Sequence, residues 1–226
     1  MQRISKEDLA NLPLRRYEGA VSLVATLKDL EKARADMRQE RVVGFDTETR
    51  PAFSKGESHL PCLVQAATAR AVYLFQLSRL DVFPALVELL AKPEIVKAGV
   101  GLEYDLRRLK LVFPFTVASV LDLGVVARRR GLGQTGVRNL AGMFLGIRIP
   151  KGNRTSNWAA PRLSPAQITY AATDAWACRE LYLHFERLGL LTASRSEHPL
   201  PDPMSRTEGN RGQLSPSRIQ GRKPKN

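Results

Sequence analysis

Between Arg41 and Leu77 three strand-like runs follow one another with only short breaks: Arg41 to Thr49, "LPCLVQAAT" from Leu60, and "AVYLFQL" from Ala71. Breaks that short favour antiparallel neighbours, because parallel strands need a long crossover. The rhythm then changes. "IVKAGV" from Ile95 and "SVLDL" from Ser119 are strand-like runs with helical stretches between them. Such an order predicts a mixed sheet, three antiparallel strands and then parallel ones, flanked by helices: an α/β fold. A further short strand is expected at "AVSLV" from Ala20.

The helix boundaries are also written in the chain. Thr26 opens T-L-K-D, a capping box with Asp at its third helical position, and Leu27, Leu30, Ala33 and Met37 follow at helical spacing. Helices are expected over Phe83 to Leu90, over "LEYDLRRLKLV" from Leu102, from "SVLDL" through Arg130, and over "VRNLAGMFLG" from Val137. Ser164-Pro165-Ala166-Gln167 combines a capping box with proline at the first helical position. The helix it opens should run to Leu188 and stop at Gly189. Residues 1–18 have little periodicity and are expected as a flexible arm. Residues 193–226 are rich in Pro, Ser, Gly and basic residues and are expected as a disordered basic tail. The domain between them is 19–192.

Within the first long strand, Asp46 and Glu48 stand two residues apart, so both carboxylates share one face. Two carboxylates this close repel each other, and burial raises the cost. A hard cation such as Mg²⁺ or Mn²⁺ removes it; exposure at a strand end is the plainer alternative. Asp105 sits at the start of the helix after "VKAGV", near the carboxyl end of a strand, where α/β proteins bind ligands. An acid there also suits the helix dipole. Tyr170 and Asp174 are four apart on the last helix and share a face whose neighbours are alanines, which let a helix approach a sheet closely. An arginine partner for Asp174 is the structural alternative.

The three segments together narrow the choice. "VVGFDTET", "VKAGVGLEYDLRRL" and "LSPAQITYAATDAWACRELY" resemble, in order and spacing, the three motifs of the tyrosine-bearing branch of the DEDD 3′–5′ exonucleases, which includes ribonuclease D and the Werner-type exonuclease domain. The resemblance covers roughly residues 20–190. "SNW" at Ser156–Trp158 is closest to the Werner type, and Thr169 stands where the histidine-bearing branch has its histidine. The resemblance implies a ribonuclease-H-like fold and two Mg²⁺ or Mn²⁺ ions ~3.5–4 Å apart. Asp46, Glu48, Asp105 and Asp174 would hold them, and Tyr170 would orient the attacking water. The product would be nucleoside 5′-monophosphate released from the 3′ end of DNA or RNA. Lys151, Arg154 and Arg148, in the loop before the third motif, would contact phosphates. His59 and Leu60 would lie near the terminal base.

Composition agrees. Among 226 residues, 35 Lys+Arg against 22 Asp+Glu give a net charge of +13, which favours a polyanionic partner. No apolar run approaches the ~20 residues of a membrane span, and the opening residues lack the apolar centre of a signal peptide. A soluble cytoplasmic protein with no membrane partner is expected; the sequence is silent on oligomeric state. Arg128–Arg130 end a helix, where cations suit the dipole. Trp158 could stack on a base, although burial against the last helix fits it better. "GLGQTG" from Gly131 follows arginines rather than a strand, so a dinucleotide-binding reading fails. Two readings stand against the nuclease: a nucleic-acid-binding module of the same fold without turnover, and an exonuclease confined to very short oligoribonucleotides.

Overall fold

A computed structural model describes residues 3–54, 56–79, 81–151 and 155–191. The sheet has six strands: β1 (Ala20–Leu23), β2 (Val42–Thr49), β3 (Pro61–Ala67), β4 (Ala71–Gln76), β5 (Val96–Gly99) and β6 (Val120–Asp122), in the order β1-β4-β3-β2-β5-β6. β2, β3 and β4 form the antiparallel part, while β2–β5 and β5–β6 are parallel. β1 pairs with β4 in parallel and closes the other edge.

The helices are α1 (Lys6–Asn11), α2 (Leu27–Met37), α3 (Phe83–Ala91), α4 (Leu102–Leu109), α5 (Leu123–Arg129), α6 (Val137–Leu140) and α7 (Pro165–Arg187). Both capping boxes form: Thr26 Oγ accepts from the Asp29 amide and Ser164 Oγ from the Gln167 amide, and each partner side chain returns to the cap backbone. α7 stops where expected, with Gly189 at φ +66°.

Alternation along the strands divides the core. Val43, Phe45, Val64, Ala66, Tyr73 and Phe75 face α2, α3 and α4 in one apolar layer. Leu63, Ala67, Val72 and Leu74 face Ala171, Ala172 and Ala175 of α7 in another. The small residues of α7 bring its backbone down onto the sheet, and Gly44 of β2 completes the approach. A methyl group built on Gly44 would lie 2.0 Å from the Ala175 carbonyl oxygen.

Two expectations need correction. The stretch expected as one helix from Val137 to Gly146 is a single α-turn, α6, continued by a π-helical turn over Ala141–Leu145. Gly142 in that turn leaves room for Leu9, Ile4 and Leu12 of the first segment. Residues 3–17 of the expected arm are accordingly tied down, not loose. The Ile4 amide donates to Gln134 Oε1 at 3.0 Å, the Arg148 amide to the Pro13 carbonyl at 2.9 Å, and the Tyr17 amide to Thr173 Oγ1 at 3.1 Å. Their partners lie more than a hundred residues away in sequence, and local periodicity carries no trace of them. The tail expectation, 193–226, lies outside the described residues.

Candidate active site

β2 carries Asp46 and Glu48 on the face covered by α7. The close seat at Gly44 lets the same helix deliver Asp174 to that face. One carboxylate oxygen from each of Asp46, Glu48 and Asp174 lies within 4.8 Å of the others. Glu48 and Asp174 are buried and Asp46 is half-buried. Burial pushes the Asp46 carboxyl well above its ordinary range, and the charges of Asp174, Glu48 and Asp105 push it further. Asp174 is also raised by burial, an effect opposed by the Tyr170 hydroxyl, which donates to it, and by the charge of Arg138.

Asp105 stands outside that group of three. It projects from α4, where burial, with Asp122 adding to it, pushes it up to about 7, and the Thr47 side chain hydrogen-bonds to it. Thr47 takes the opposite face of β2 from its neighbours Asp46 and Glu48, so the strand's alternation places acids on one side and a support for Asp105 on the other. The Tyr170 phenol is raised by burial first and then by the charges of Asp174 and Glu48. Its ring packs against Trp158 at 5.9 Å between centroids, and Trp158 is fully buried. The tryptophan is therefore a wall behind Tyr170 and not a stacking platform for a base.

The donor set of the cluster is three carboxylates, the oxygen-only chemistry of Mg²⁺ and Mn²⁺ sites rather than of zinc or copper. Each acid raises the cost of ionising the next, and a divalent cation is the direct remedy. The residues fit such an ion on both counts.

The expected substrate contacts are distributed unevenly. His59 and Leu60 are held beside the Asp105 helix, because Arg108 of α4 donates to Ser58 Oγ and to the His59 carbonyl at 2.7 and 2.5 Å. The His59 ring is engaged by Glu57 at 2.7 Å, whereas Leu60 is exposed. Lys151 is exposed. Arg148 is half-buried, and its backbone carries the first segment, with its carbonyl accepting from the Arg15 amide at 2.9 Å. Arg154 lies outside the described residues.

The structure adds groups that the sequence reading passed over. Arg138 donates from Nε to the Ile149 carbonyl at 3.3 Å and places its charge near Asp174. Phe53 and Tyr104 are 81% and 58% exposed, and the Arg107 guanidinium lies 5.6 Å from the Tyr104 ring centroid. Tyr104 is adjacent in sequence to Asp105, a signal that was readable. No comparable local signal marks Arg138.

Asp46 and Glu48 of the interior strand β2 and Asp174 of α7 thus meet on one face of a mixed sheet flanked by helices, the layout of a ribonuclease-H-like fold. Residues 21–189 match a family model described as 3′–5′ exonuclease. Ribonuclease D of Gluconacetobacter diazotrophicus is 36% identical over 172 residues, covering 74% of this chain and 42% of the relative. The mouse bifunctional 3′–5′ exonuclease/ATP-dependent helicase WRN is 30% identical over 210 residues, covering 87% of this chain and 15% of that protein. The chain thus spans less than half the length of either. Among solved structures, the Aedes aegypti Nibbler EXO domain superposes with a TM-score of 0.69 at 24% identity, covering 81% of this chain and 94% of that one. Escherichia coli RNase D superposes with a TM-score of 0.66 at 21% identity, covering 76% and 47%. The chain belongs to this 3′–5′ exonuclease family. Among the described residues no helix is long and apolar enough to cross a membrane.

Proposed function

We propose that this protein is a metal-dependent 3′–5′ exonuclease that hydrolyses phosphodiester bonds of nucleic acid and releases nucleoside 5′-monophosphates. The observation that carries this reading is the meeting of Asp46, Glu48 and Asp174 oxygens within 4.8 Å. Asp46, Glu48 and Asp174 would hold one divalent ion, and Asp105 would join Asp46 in holding a second. Two such ions would lower the pKa of the attacking water and neutralise charge on the leaving 3′ oxygen.

The chain's own groups do the rest. Tyr170, its pKa raised by burial and by the acids around it, keeps its proton on Oη at neutral pH and is no general base. It donates to Asp174 and offers an oxygen that orients water for in-line attack. Trp158 and the alanine face of α7 exclude bulk solvent behind it. Leu60, next to the His59 carbonyl that Arg108 of α4 holds, and Tyr104, next to Asp105 in sequence, would offer exposed apolar surface to the terminal nucleotide, with Lys151 and Arg154 as phosphate contacts. The exonuclease unit would be 19–192. The ribonuclease D relatives, and the similar Trypanosoma brucei RNase D solved in complex with RNA U12, support a nucleic-acid 3′ end as substrate.

Matched 5′-labelled RNA and DNA strands, incubated with Mn²⁺, test this directly. Stepwise shortening from the 3′ end is expected, with loss of shortening when the metal is chelated. Binding without shortening would instead establish the module without turnover. Cleavage of two-residue but not twenty-residue strands would establish the short-oligonucleotide enzyme. Tyr170→Phe is expected to lower kcat by roughly 10²-fold while leaving KM within a few-fold, the pattern of a group used in the transition state. An unchanged kcat would remove its water-orienting role.

A further inference from the structure

Asp122 is the last residue of β6 and the N-cap of α5, and its two carboxylate oxygens serve different helices. Oδ1 accepts from the Val125 amide at 3.0 Å and caps α5. Oδ2 accepts from the amides of Gly101 and Leu102, at 2.8 and 3.0 Å, twenty residues earlier in the chain. These are two of the orphan donors at the start of α4, whose N-cap Gly101 is left-handed, at φ 79°, and has no side chain to supply a cap. Asp122 is therefore the cap of α4 as well. The Gly101 carbonyl in turn accepts from Tyr104 and Asp105. A single carboxylate thus sets the first turn of the helix that presents Asp105.

Around that turn the remaining contacts are fixed from other sides. Leu102, Leu106 and Leu109 are fully buried against the layer containing Phe45. Gly99 packs so closely that a methyl group there would lie 2.3 Å from the Phe45 carbonyl oxygen. In that first turn the buried Leu102 side chain and the Asp122 contacts to the Gly101 and Leu102 amides act together, and Asp105 follows three residues on, beside Thr47.

We propose that Asp122 is a positioning residue for the hydrolytic site: by holding the amides of Gly101 and Leu102 it keeps the Asp105 carboxylate at its place beside Thr47 of β2, without itself touching substrate. This inference rests on the exonuclease reading above. Its physical basis is that a supporting group around metal-ligating carboxylates typically accounts for about 10–100-fold in metal affinity or activity.

Asp122→Ser separates the two jobs. Serine remains a good N-cap for α5, but its single short-reaching oxygen cannot also hold both α4 amides. The comparison variant is Thr26→Ala, which removes the capping box of α2, away from the acids, and reports what loss of a cap alone does. Asp122→Ser is expected to lower kcat about 10–100-fold with KM within about 3-fold, and to raise the Mn²⁺ concentration for half-maximal cleavage about 10-fold. Thr26→Ala should lower the melting temperature without either change. If Asp122→Ser cleaves within 2-fold of wild type, about the scatter of a neutral substitution, Asp122 is a cap only and the proposal falls. A second readout does not depend on cleavage: the rise in melting temperature caused by Mn²⁺ should be smaller in Asp122→Ser than in wild type. Should wild type fail to cleave any strand, the exonuclease reading fails separately. An equal Mn²⁺-induced rise in the two proteins would still overturn the role of Asp122.

Discussion

Asp46→Asn is expected to slow cleavage by at least about 10³-fold while leaving a folded protein that melts, without metal, at a temperature no lower than wild type. Asp46 is the acid that feels all the others: Asp174, Glu48 and Asp105 each raise it, on top of burial. Asparagine keeps the size of the side chain and one oxygen but removes the charge. With it goes the carboxylate best placed to serve both ion sites. The same change relieves the repulsion among the remaining acids, so stability and activity move in opposite directions, as they do at sites that carry unfavourable charge for function. In a domain of this size each kcal/mol is worth about 2–4 °C in melting temperature.

The pH dependence has a definite sign. A carboxyl whose folded pKa lies above its unfolded value binds its proton more tightly in the folded state. Metal-free wild type therefore loses stability as pH rises from the ordinary carboxylate range through about 7, the value for Asp105. Asp46→Asn should lose less over that window, and Mn²⁺ should flatten the wild-type profile but not that of the variant. Melting curves at stepped pH, with and without Mn²⁺, measure both effects. A variant that cleaves normally, or that melts well below wild type in metal-free buffer, would contradict the acid-cluster account.

The parts of this site that were legible in the sequence are those set by local rules. Strand alternation alone puts Asp46 and Glu48 on one face. Helical spacing put Tyr170 beside Asp174, and the Ser164–Gln167 box fixed where their helix starts. The illegible parts depend on which distant segments meet. Asp122 read as a strand residue because its second set of partners, Gly101 and Leu102, lies twenty residues away. Arg138 sat in what looked like an ordinary helix, and its nearness to Asp174 follows from how α6 and the π-turn pack beside α7. Residues 3–18 looked loose because the hydrogen-bond partners of Ile4, Pro13 and Tyr17 are remote in sequence. Gly44 falls between these classes: a glycine inside a buried strand signals close approach of another backbone, although not which one.

That glycine carries the second large effect. Gly44→Ala is expected to lower cleavage by about 10²-fold or more and to destabilise the fold by about 1–3 kcal/mol. The added methyl would lie 2.0 Å from the Ala175 carbonyl oxygen and 2.8 Å from the Arg179 amide nitrogen. Both are backbone atoms of a 23-residue helix, and neither can swing aside. Restoring ordinary contact requires α7 and β2 to separate by about 1 Å or more. Asp174 rides on α7 one residue before Ala175, while Asp46 lies two residues beyond Gly44, so the separation opens the three-carboxylate cluster itself. A misplacement of this size is enough to cost a catalytic arrangement two orders of magnitude. Gly136→Ala provides the comparison, since a methyl there meets nothing within 4 Å and φ is −76°; it should change neither cleavage nor melting. Beyond kinetics, the Mn²⁺-induced rise in melting temperature should shrink in Gly44→Ala, because one of the three oxygens has been withdrawn. Wild-type cleavage together with an undiminished Mn²⁺ response in Gly44→Ala would mean that the seat of α7 on β2 does not control the site.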